Sequence, residues 1–223
     1  MPDTSSDPSN VQAIGLLFTA LGLSSVSGLR AYFPLLALAI GSNVSAADGQ
    51  RLITLTPPFE ALSSWWFIAL MVLFVIGEFI VDKIPVIDHL SDAVHTVIRP
   101  LSGAAIMAGI SNPLSDHSLW AAAIIGALLA LVVHGVKASS RPAVTATTAG
   151  IGNPIISIIE DGIVVIVSLL ALLAPFVALA LIVLLVFAIA FLIRAGWRRL
   201  RGRRTQQTVA ASSATSTSPG PWL

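Results

Sequence analysis

The stretch LWAAAIIGALLALVVHGV, residues 119–136, decides the class of fold. It contains no Asp, Glu, Lys or Arg, and its one histidine, His134, stands near its end. A helix of about 20 mostly apolar residues is long enough to cross the hydrocarbon core of a bilayer. The stretch therefore predicts a membrane-spanning helix.

Further apolar runs lie on both sides of this stretch. They cover residues 11–27, 31–41, 64–81, 94–110, 153–174 and 175–193. Residues 30–42 would form a helix only about 20 Å long, which is too short for a hydrocarbon core of about 30 Å. The dipeptide Arg99-Pro100 breaks the run 94–110 in a similar way. We therefore predict an all-α protein, a polytopic transmembrane helix bundle in which these two segments are short or re-entrant broken helices.

The composition agrees with a membrane protein. Hydrophobic residues make up 56% of the 223 residues, charged residues only 10%, and the mean hydropathy is +0.91. A soluble domain is about 25% charged, so much of this surface must face lipid. The net charge of +1 indicates no nucleic-acid partner. The lack of cysteine excludes disulfides, thiolate metal sites and cysteine nucleophiles.

Basic residues predict the orientation and the domain limits. Residues 1–10 form a polar tail, 11–196 the transmembrane domain, and 197–223 a basic and then Ser/Thr-rich tail. Six of the twelve Lys and Arg residues lie between Arg194 and Arg204, directly after the last apolar run. Positive charge near helix ends marks the cytoplasmic side. We therefore expect a multi-pass protein of the cytoplasmic (inner) membrane with a cytoplasmic C-terminus, small enough that a homodimer is plausible.

Ionisable residues inside the apolar runs are the candidates for function. A charge at the bilayer centre costs at least about 2.5–3.5 kcal/mol, so such residues face the protein interior and find partners. The candidates for binding a ligand or ion are Arg30, Glu78, Asp82, Lys83, His134, Lys137, Asn153, Glu160 and Asp161. The acidic residues would accept a proton or cation, with Arg30 and Lys137 as counter-charges. The alternative interpretations are a structural ion-pair network and, for Asp82 and Lys83, simple contact with water at the membrane interface.

The sequence leaves two features of these candidates undecided: the partner of Arg30, and the position of Glu160 and Asp161 within their helix. Arg30 needs an acidic or carbonyl partner, for which Glu78 or Glu160 is a natural choice. Glu160 and Asp161 diverge by about 100° on a helix. They lie either about 10 Å inside a helix that begins near Asn153 or in the first turn of a later one, where the helix dipole favours acids.

A second cluster suggests metal chemistry. Asp88 and Asp92 are four residues apart and follow Asp82, with His95 close behind. Carboxylates at such spacing hold divalent metals such as Mg²⁺. An amphipathic helix at the membrane interface explains the same pattern. No cofactor can be named from the sequence.

An internal repeat is a further hypothesis. At an offset of 54, the residues Ser64, Trp66, Lys83 and Pro100 match Ser118, Trp120, Lys137 and Pro154. Each unit would contain an apolar helix ending in lysine, followed by a proline-broken helix. Repeats with broken helices are common in transporters.

Several stretches together resemble a known family. They are SGLRAYFPLL (27–36), EFIVDKIPVIDH (78–89), IRPLSG (98–103), HGVKA (134–138), Arg141 and NPIISIIED (153–161). Over residues 14 to 175 the chain resembles the bacterial membrane family named domain of unknown function 4126. The resemblance implies a membrane location and brings no mechanism with it.

The sequence therefore leaves three functions open. The leading prediction is a small transporter or channel with a buried acidic proton or cation site. The alternatives are a Mg²⁺-dependent membrane enzyme acting on a lipid or isoprenoid phosphate through Asp82, Asp88 and Asp92, and a non-catalytic membrane scaffold. Whether the chain is an enzyme stays undecided at this stage.

Overall fold

The computed structural model describes most of the chain up to Leu184. The described residues are 8–45, 49, 51–81, 85–110, 116–149, 151–175, 177–178, 180–184, 187, 191 and 194. Side chains are described for these residues except 8–11, 85–93, 116–118 and 143.

The regular structure of these residues is helical. The helices are α1 Pro8–Val26, α2 Tyr32–Gly41, α3 Trp65–Val81, α4 Pro85–Ile110, α5 Asp116–Thr148 and α6 Gly152–Leu173, with a short 3-10 helix at Phe59–Ser63. One isolated bridge joins Ser45 and Arg51. The predicted all-α class is therefore confirmed over the described chain.

Helices α1 and α2 form a hairpin. The hydroxyl of Thr19 in α1 donates to the carbonyl of Ala171 near the end of α6, at 2.7 Å. Gly41, which ends α2, packs against Leu172 in the same turn of α6. The chain therefore reverses direction in the turn 27–31, and α2 returns toward the end from which α1 came. The prediction of a short helix after Arg30 is confirmed, since α2 has 10 residues.

The predicted break at Arg99-Pro100 is wrong. Helix α4 is continuous for 26 residues, and Pro100 lies inside it. An interior proline costs a helix about 3 kcal/mol, so packing must offset that cost. The packing is extensive, because α4 and α5 share the largest helix–helix contact. Gly103 and Gly126 let their backbones approach so closely that a Cβ on either residue would overlap the other's carbonyl oxygen.

The two halves of the proposed repeat differ at their prolines. Trp66 and Trp120 do match, since both lie close to the start of a helix, in α3 and α5. Pro100 lies in the middle of α4, whereas Pro154 is the third residue of α6. The shared proline-broken helix of that hypothesis is therefore not present in α4.

The loop before α3 covers one end of the bundle. Ile53 and Leu55 are buried, and Ile53 lies near Gly41 at the end of α2. The Thr56 N–H donates to the carbonyl of Gly109 near the end of α4, at 3.1 Å. The loop thus closes the end of the bundle at which α2 and α4 terminate.

The outer faces of the helices are apolar. Residues Leu119–Thr148 of α5 and Gly152–Leu173 of α6 are long and apolar enough to cross a membrane. Only 22% and 33% of the residues in their most apolar windows are buried in the protein. The helix of a soluble core would be buried over most of its surface, so these helices present most of their apolar surface outward.

Candidate functional site

The turn 27–31 between α1 and α2 lies at the centre of a buried polar cluster. Helix ends leave backbone N–H and C=O groups without partners in the helix, and these groups need other partners when they are buried. The Lys137 ammonium of α5 donates to the Leu29 carbonyl at 3.1 Å. The Ser102 hydroxyl of α4 donates to the Ala31 carbonyl at 2.7 Å. Side chains from the neighbouring helices α4 and α5 thus provide hydrogen bonds to backbone carbonyls that a continuous helix would have bonded itself.

Glu78 of α3 accepts hydrogen bonds from the start of α2. Its two carboxylate oxygens accept the N–H groups of Ala31 and Tyr32, at 3.0 and 3.3 Å. A carboxylate at a helix N-terminus is favoured by the exposed N–H groups and by the helix dipole. This contact explains how Glu78 can be only 3% exposed.

Arg30 lies in the turn itself and is fully buried. Its Nη2 forms an ion pair with the carboxylate of Asp161 and donates to the Ser157 hydroxyl at 2.9 Å. Its Nη1 donates to the backbone carbonyl of Glu78 at 3.3 Å. The guanidinium carbon also lies 5.3 Å from the centre of the Phe79 ring, within the range of a cation–π contact.

The prediction for the partner of Arg30 is correct in part. The sequence suggested an acidic or carbonyl partner, Glu78 or Glu160, and the structure shows the backbone carbonyl of Glu78 together with the carboxylate of Asp161. The Glu78 carboxylate is engaged by the start of α2. Ser157, one turn before Asp161, helps to hold the same guanidinium.

Lys137 and Glu160 form the second ion pair of the cluster. The Lys137 Nζ lies 2.8 Å from the Glu160 Oε2, and both residues are more than nine-tenths buried. Helix α6 begins at Gly152, so the two acids lie inside the helix and not in its first turn. Because their side chains diverge, Glu160 reaches Lys137 in α5 while Asp161 reaches Arg30.

His134 pairs with a cation that the sequence analysis did not select. Its Nδ1 lies 2.6 Å from an Nη atom of Arg99, and its Nε2 lies 3.2 Å from the Thr96 hydroxyl. A guanidinium has only donors, so Nδ1 must be the acceptor. His134 is therefore held as the neutral tautomer that carries its proton on Nε2.

His95 is the second residue of this cluster outside the predicted ligand and ion candidates, since the sequence analysis named it only beside the Asp88–Asp92 metal cluster. Its Nε2 lies 3.4 Å from the Glu78 Oε1, and its ring meets Tyr32 edge-on at 5.7 Å between centres. A signal was present, because His95, Arg99 and Ser102 are spaced by four and three residues. That spacing puts them on one helical face, and the expected break at Pro100 concealed it.

The structure brings most of the predicted candidates together. The predicted residues that share this cluster are Arg30, Glu78, His134, Lys137, Glu160 and Asp161. Asn153 instead bonds the Thr145 hydroxyl at 2.9 Å, near the start of α6. Asp82 and Lys83 lie outside the described residues, as do the side chains of Asp88 and Asp92. The Mg²⁺ site therefore stays a prediction, and the described residues contain no group of ligands for a metal ion.

Among the described residues, this cluster contains three cationic side chains, Arg30, Arg99 and Lys137, and three acidic ones, Glu78, Glu160 and Asp161. Arginine keeps its charge in proteins, whereas lysine and carboxylates can gain or lose a proton when buried. Unlike the Arg30–Asp161 pair, the Lys137–Glu160 pair therefore has two partners that can exchange a proton.

A comparison with protein families assigns the chain. The sequence model of the family described as Domain of unknown function (DUF4126) matches residues 17–195. The match contains every residue of the buried cluster and extends through the last apolar run, beyond the residue 175 expected from the sequence. Neither a curated protein nor a solved structure matches the chain. Since the family model covers most of the sequence, this protein belongs to the family Domain of unknown function (DUF4126).

Proposed function

We propose that this protein is a multi-pass membrane protein that moves protons or cations through the Lys137–Glu160 pair at the α1–α2 turn. The exposed apolar faces of α3, α5 and α6 support the membrane placement. Large hydrophobic side chains cover them, including Leu73 at 64% and Ile124 at 59% exposure. Such continuous apolar surface requires lipid or another apolar cover.

Three tryptophans support the position of one membrane interface. Trp65 and Trp66 near the start of α3 and Trp120 near the start of α5 are all more than 70% exposed. Tryptophan favours the headgroup level of a bilayer. These helix starts lie at the end closed by the loop before α3. We take this end to be the outer one, in keeping with the orientation predicted from the basic residues of the sequence.

In this placement the α1–α2 hairpin is a re-entrant element. It enters from the outer end, turns at 27–31 beside Arg30, and returns as the short helix α2. Irregular backbone at membrane depth is tolerated where other parts of the protein cover it. Side chains of α3, α4 and α5 contact the backbone of the turn 27–31. In transporters, broken helices of this kind place their ends around the transported group.

The observation that carries the proposal is the Lys137–Glu160 pair itself. The two charges lie 2.8 Å apart, and the same ammonium also bonds the Leu29 carbonyl at the break in the helix. A buried ion pair contributes little net stability compared with apolar residues of the same size, so stability alone gives a weak reason for it. A proton or cation that reaches Glu160 can replace the ammonium as its counter-charge. Lys137 then either stays charged and hydrogen-bonded to the Leu29 carbonyl, or releases its own proton and becomes neutral.

Flux through reconstituted protein tests the proposal. Purified protein would be placed in lipid vesicles, and gradients of H⁺, Na⁺ and K⁺ would be imposed in turn while internal ion levels are followed. We expect flux above that of protein-free vesicles for at least one gradient. Glu160→Gln keeps the size of the side chain but removes its charge, and should reduce that flux to the protein-free level.

The matched control is Glu60→Gln. Glu60 carries the same chemical group on the exposed 3-10 helix, away from the cluster, and its replacement should leave the flux unchanged. Wild-type protein that carries none of the three ions would overturn the proposal. The scaffold interpretation would then be favoured, with the ion pairs serving the fold.

A further inference from the structure

A cleft reaches the buried cluster from its side. It encloses about 190 Å³ and is lined by Tyr32, Phe74, Gly77, Glu78, Val81 and His95. Its walls come from α2, α3 and α4. The cleft ends at the part of the cluster that contains Glu78 and His95, one side of the α1–α2 turn.

His95 and Glu78 both line the cleft, and their side chains differ in exposure. The side chain of His95 is 9% exposed, whereas that of Glu78 is completely buried. The His95 Nε2 is 3.4 Å from the Glu78 Oε1, close enough for proton transfer after a small approach. Of the two side chains, the imidazole is therefore the more accessible to a proton that enters the cleft.

His134 cannot serve the same purpose. Its Nδ1 accepts a hydrogen bond from Arg99, and its Nε2 faces the Thr96 hydroxyl. A proton added at Nδ1 would face the permanent charge of Arg99 at 2.6 Å. Among the histidines whose side chains the structure describes, His95 is the one seen beside a carboxylate, that of Glu78.

Glu78 is a suitable acceptor because its charge holds the start of α2. The carboxylate accepts the N–H groups of Ala31 and Tyr32, and protonation would weaken both bonds. The other titratable or charged groups that face this pair among the described residues are Tyr32 in α2 and Arg30, which binds the Glu78 backbone carbonyl. A proton on Glu78 therefore acts on the α1–α2 turn, where the Lys137–Glu160 pair is also anchored.

We propose that His95 relays protons from the cleft to Glu78, and that protonated Glu78 releases the start of α2. Neutral His95 with its proton on Nε2 takes up a proton at Nδ1, passes the Nε2 proton to the Glu78 Oε1, and becomes the neutral Nδ1 tautomer. No other reactant is needed. The proton transfer itself does not require transport. Only its biological role rests on the proposed function, because the relay would supply protons to the Lys137–Glu160 pair.

A pH jump followed by infrared spectroscopy tests the relay without any transport. Detergent-solubilised protein would be acidified rapidly, and the carbonyl stretch of protonated Glu78 would be followed in time, with Glu78→Gln used to assign the band. His95→Ala should slow the appearance of the band about 100-fold, the scale of a lost acid–base group. Imidazole added to the buffer should restore the rate by entering the space left in the cleft.

Two controls separate the relay from a merely structural role. Pyrazole has the size of imidazole but is far less basic, so it should fill the space without restoring the rate. Glu60→Gln removes a carboxyl group from the exposed 3-10 helix, outside the cleft lining, so it should leave the rate unchanged. A Glu78 band that fails to appear in wild-type protein, or that appears equally fast in His95→Ala, would overturn the relay.

The two proposals fail in different ways. Protein that shows His95-dependent protonation of Glu78 but carries no ion in vesicles keeps the relay and loses the transport function. Protein that carries ions but protonates Glu78 at the same rate without His95 keeps the transport function and loses the relay.

Discussion

At the scale of single residues, Arg30 and Lys137 are two buried cations with different chemistry. Arg30 uses its planar fork to bind Asp161, Ser157 and a backbone carbonyl at once. Lys137 is a compact point charge shared between Glu160 and the Leu29 carbonyl. Arginine is suited to a permanent, directional role and lysine to one in which the charge changes. This difference fits a structural role for the Arg30–Asp161 pair and the proposed ion exchange at the Lys137–Glu160 pair.

Replacing Arg30 with lysine should destabilise the protein although the charge is kept. A lysine ammonium cannot reproduce the planar, forked arrangement of donors of the guanidinium. Each lost hydrogen bond to a charged group is worth about 1.5–3 kcal/mol. We expect a clear fall in the thermal unfolding temperature of the detergent-solubilised protein. Arg51→Lys, at an exposed loop position, is the matched control and should unfold like the wild type. An unchanged unfolding temperature for Arg30→Lys would show that the fork is dispensable.

Removing one partner of the Lys137–Glu160 pair should cost more stability than removing both. Lys137→Met leaves Glu160 as a buried charge without its ammonium, at a cost of about 3–5 kcal/mol. The double variant with Glu160→Leu removes that charge, so it should recover most of the loss. Free energies of unfolding for the two single variants and the double variant give the coupling directly. Additive losses would mean that the two residues do not interact.

At the scale of the elements, the break between α1 and α2 places opposite charges at opposite ends of the turn. The Lys137 ammonium meets the Leu29 carbonyl just beyond the end of α1, and the Glu78 carboxylate meets N–H groups at the start of α2. Both placements follow the helix dipole, which favours cations at the C-terminus and anions at the N-terminus. The hairpin therefore depends on charged side chains from α3 and α5.

The crossing of α4 and α5 should tolerate no side chain at Gly126. A Cβ there would lie 2.6 Å from the Met107 Cβ and would also overlap the Gly103 carbonyl. Gly126→Ala should therefore lower the unfolding temperature. Gly135→Ala, in the same helix, meets nothing within 4 Å and should stabilise the protein by up to about 1 kcal/mol through helix propensity. The crossing would be looser than the structure implies if both variants behaved alike.

The same elements show what the sequence could predict. The short helix α2 was predictable, because few apolar residues separate Arg30 from the polar stretch after Gly41. The continuity of α4 through Pro100 was not, because it depends on packing between glycines in two helices. The pairing of Glu160 with Lys137 and of Asp161 with Arg30 was likewise hidden, since it depends on the register between helices.

At the scale of the whole molecule, a loop closes one end of the described helix bundle, and charged side chains lie in its interior. The loop with buried Ile53 and Leu55 covers the end at which α2 and α4 terminate, while the cleft reaches the cluster beside Glu78 and His95. Apolar faces of α3, α5 and α6 lie on the outside of the described bundle, and its interior holds cationic and acidic side chains. These features are the ones expected of the proposed ion site in a membrane protein whose outer side is shut. We therefore expect water to reach the cluster from the cytoplasmic side.

The most direct test of this central claim is chemical labelling of single cysteines, since the natural chain has none. Ser157→Cys is nearly isosteric and places a thiol beside Arg30. Ser168→Cys places one in the same helix, where the fully buried Ser168 lies outside the charged cluster. Each variant would be treated with a membrane-impermeant thiol reagent in intact cells and in inside-out vesicles. We predict labelling of the cysteine at 157 from the cytoplasmic side only, and none at 168. Absence of labelling at 157 from both sides would contradict the claim, because water would then not reach the charged cluster.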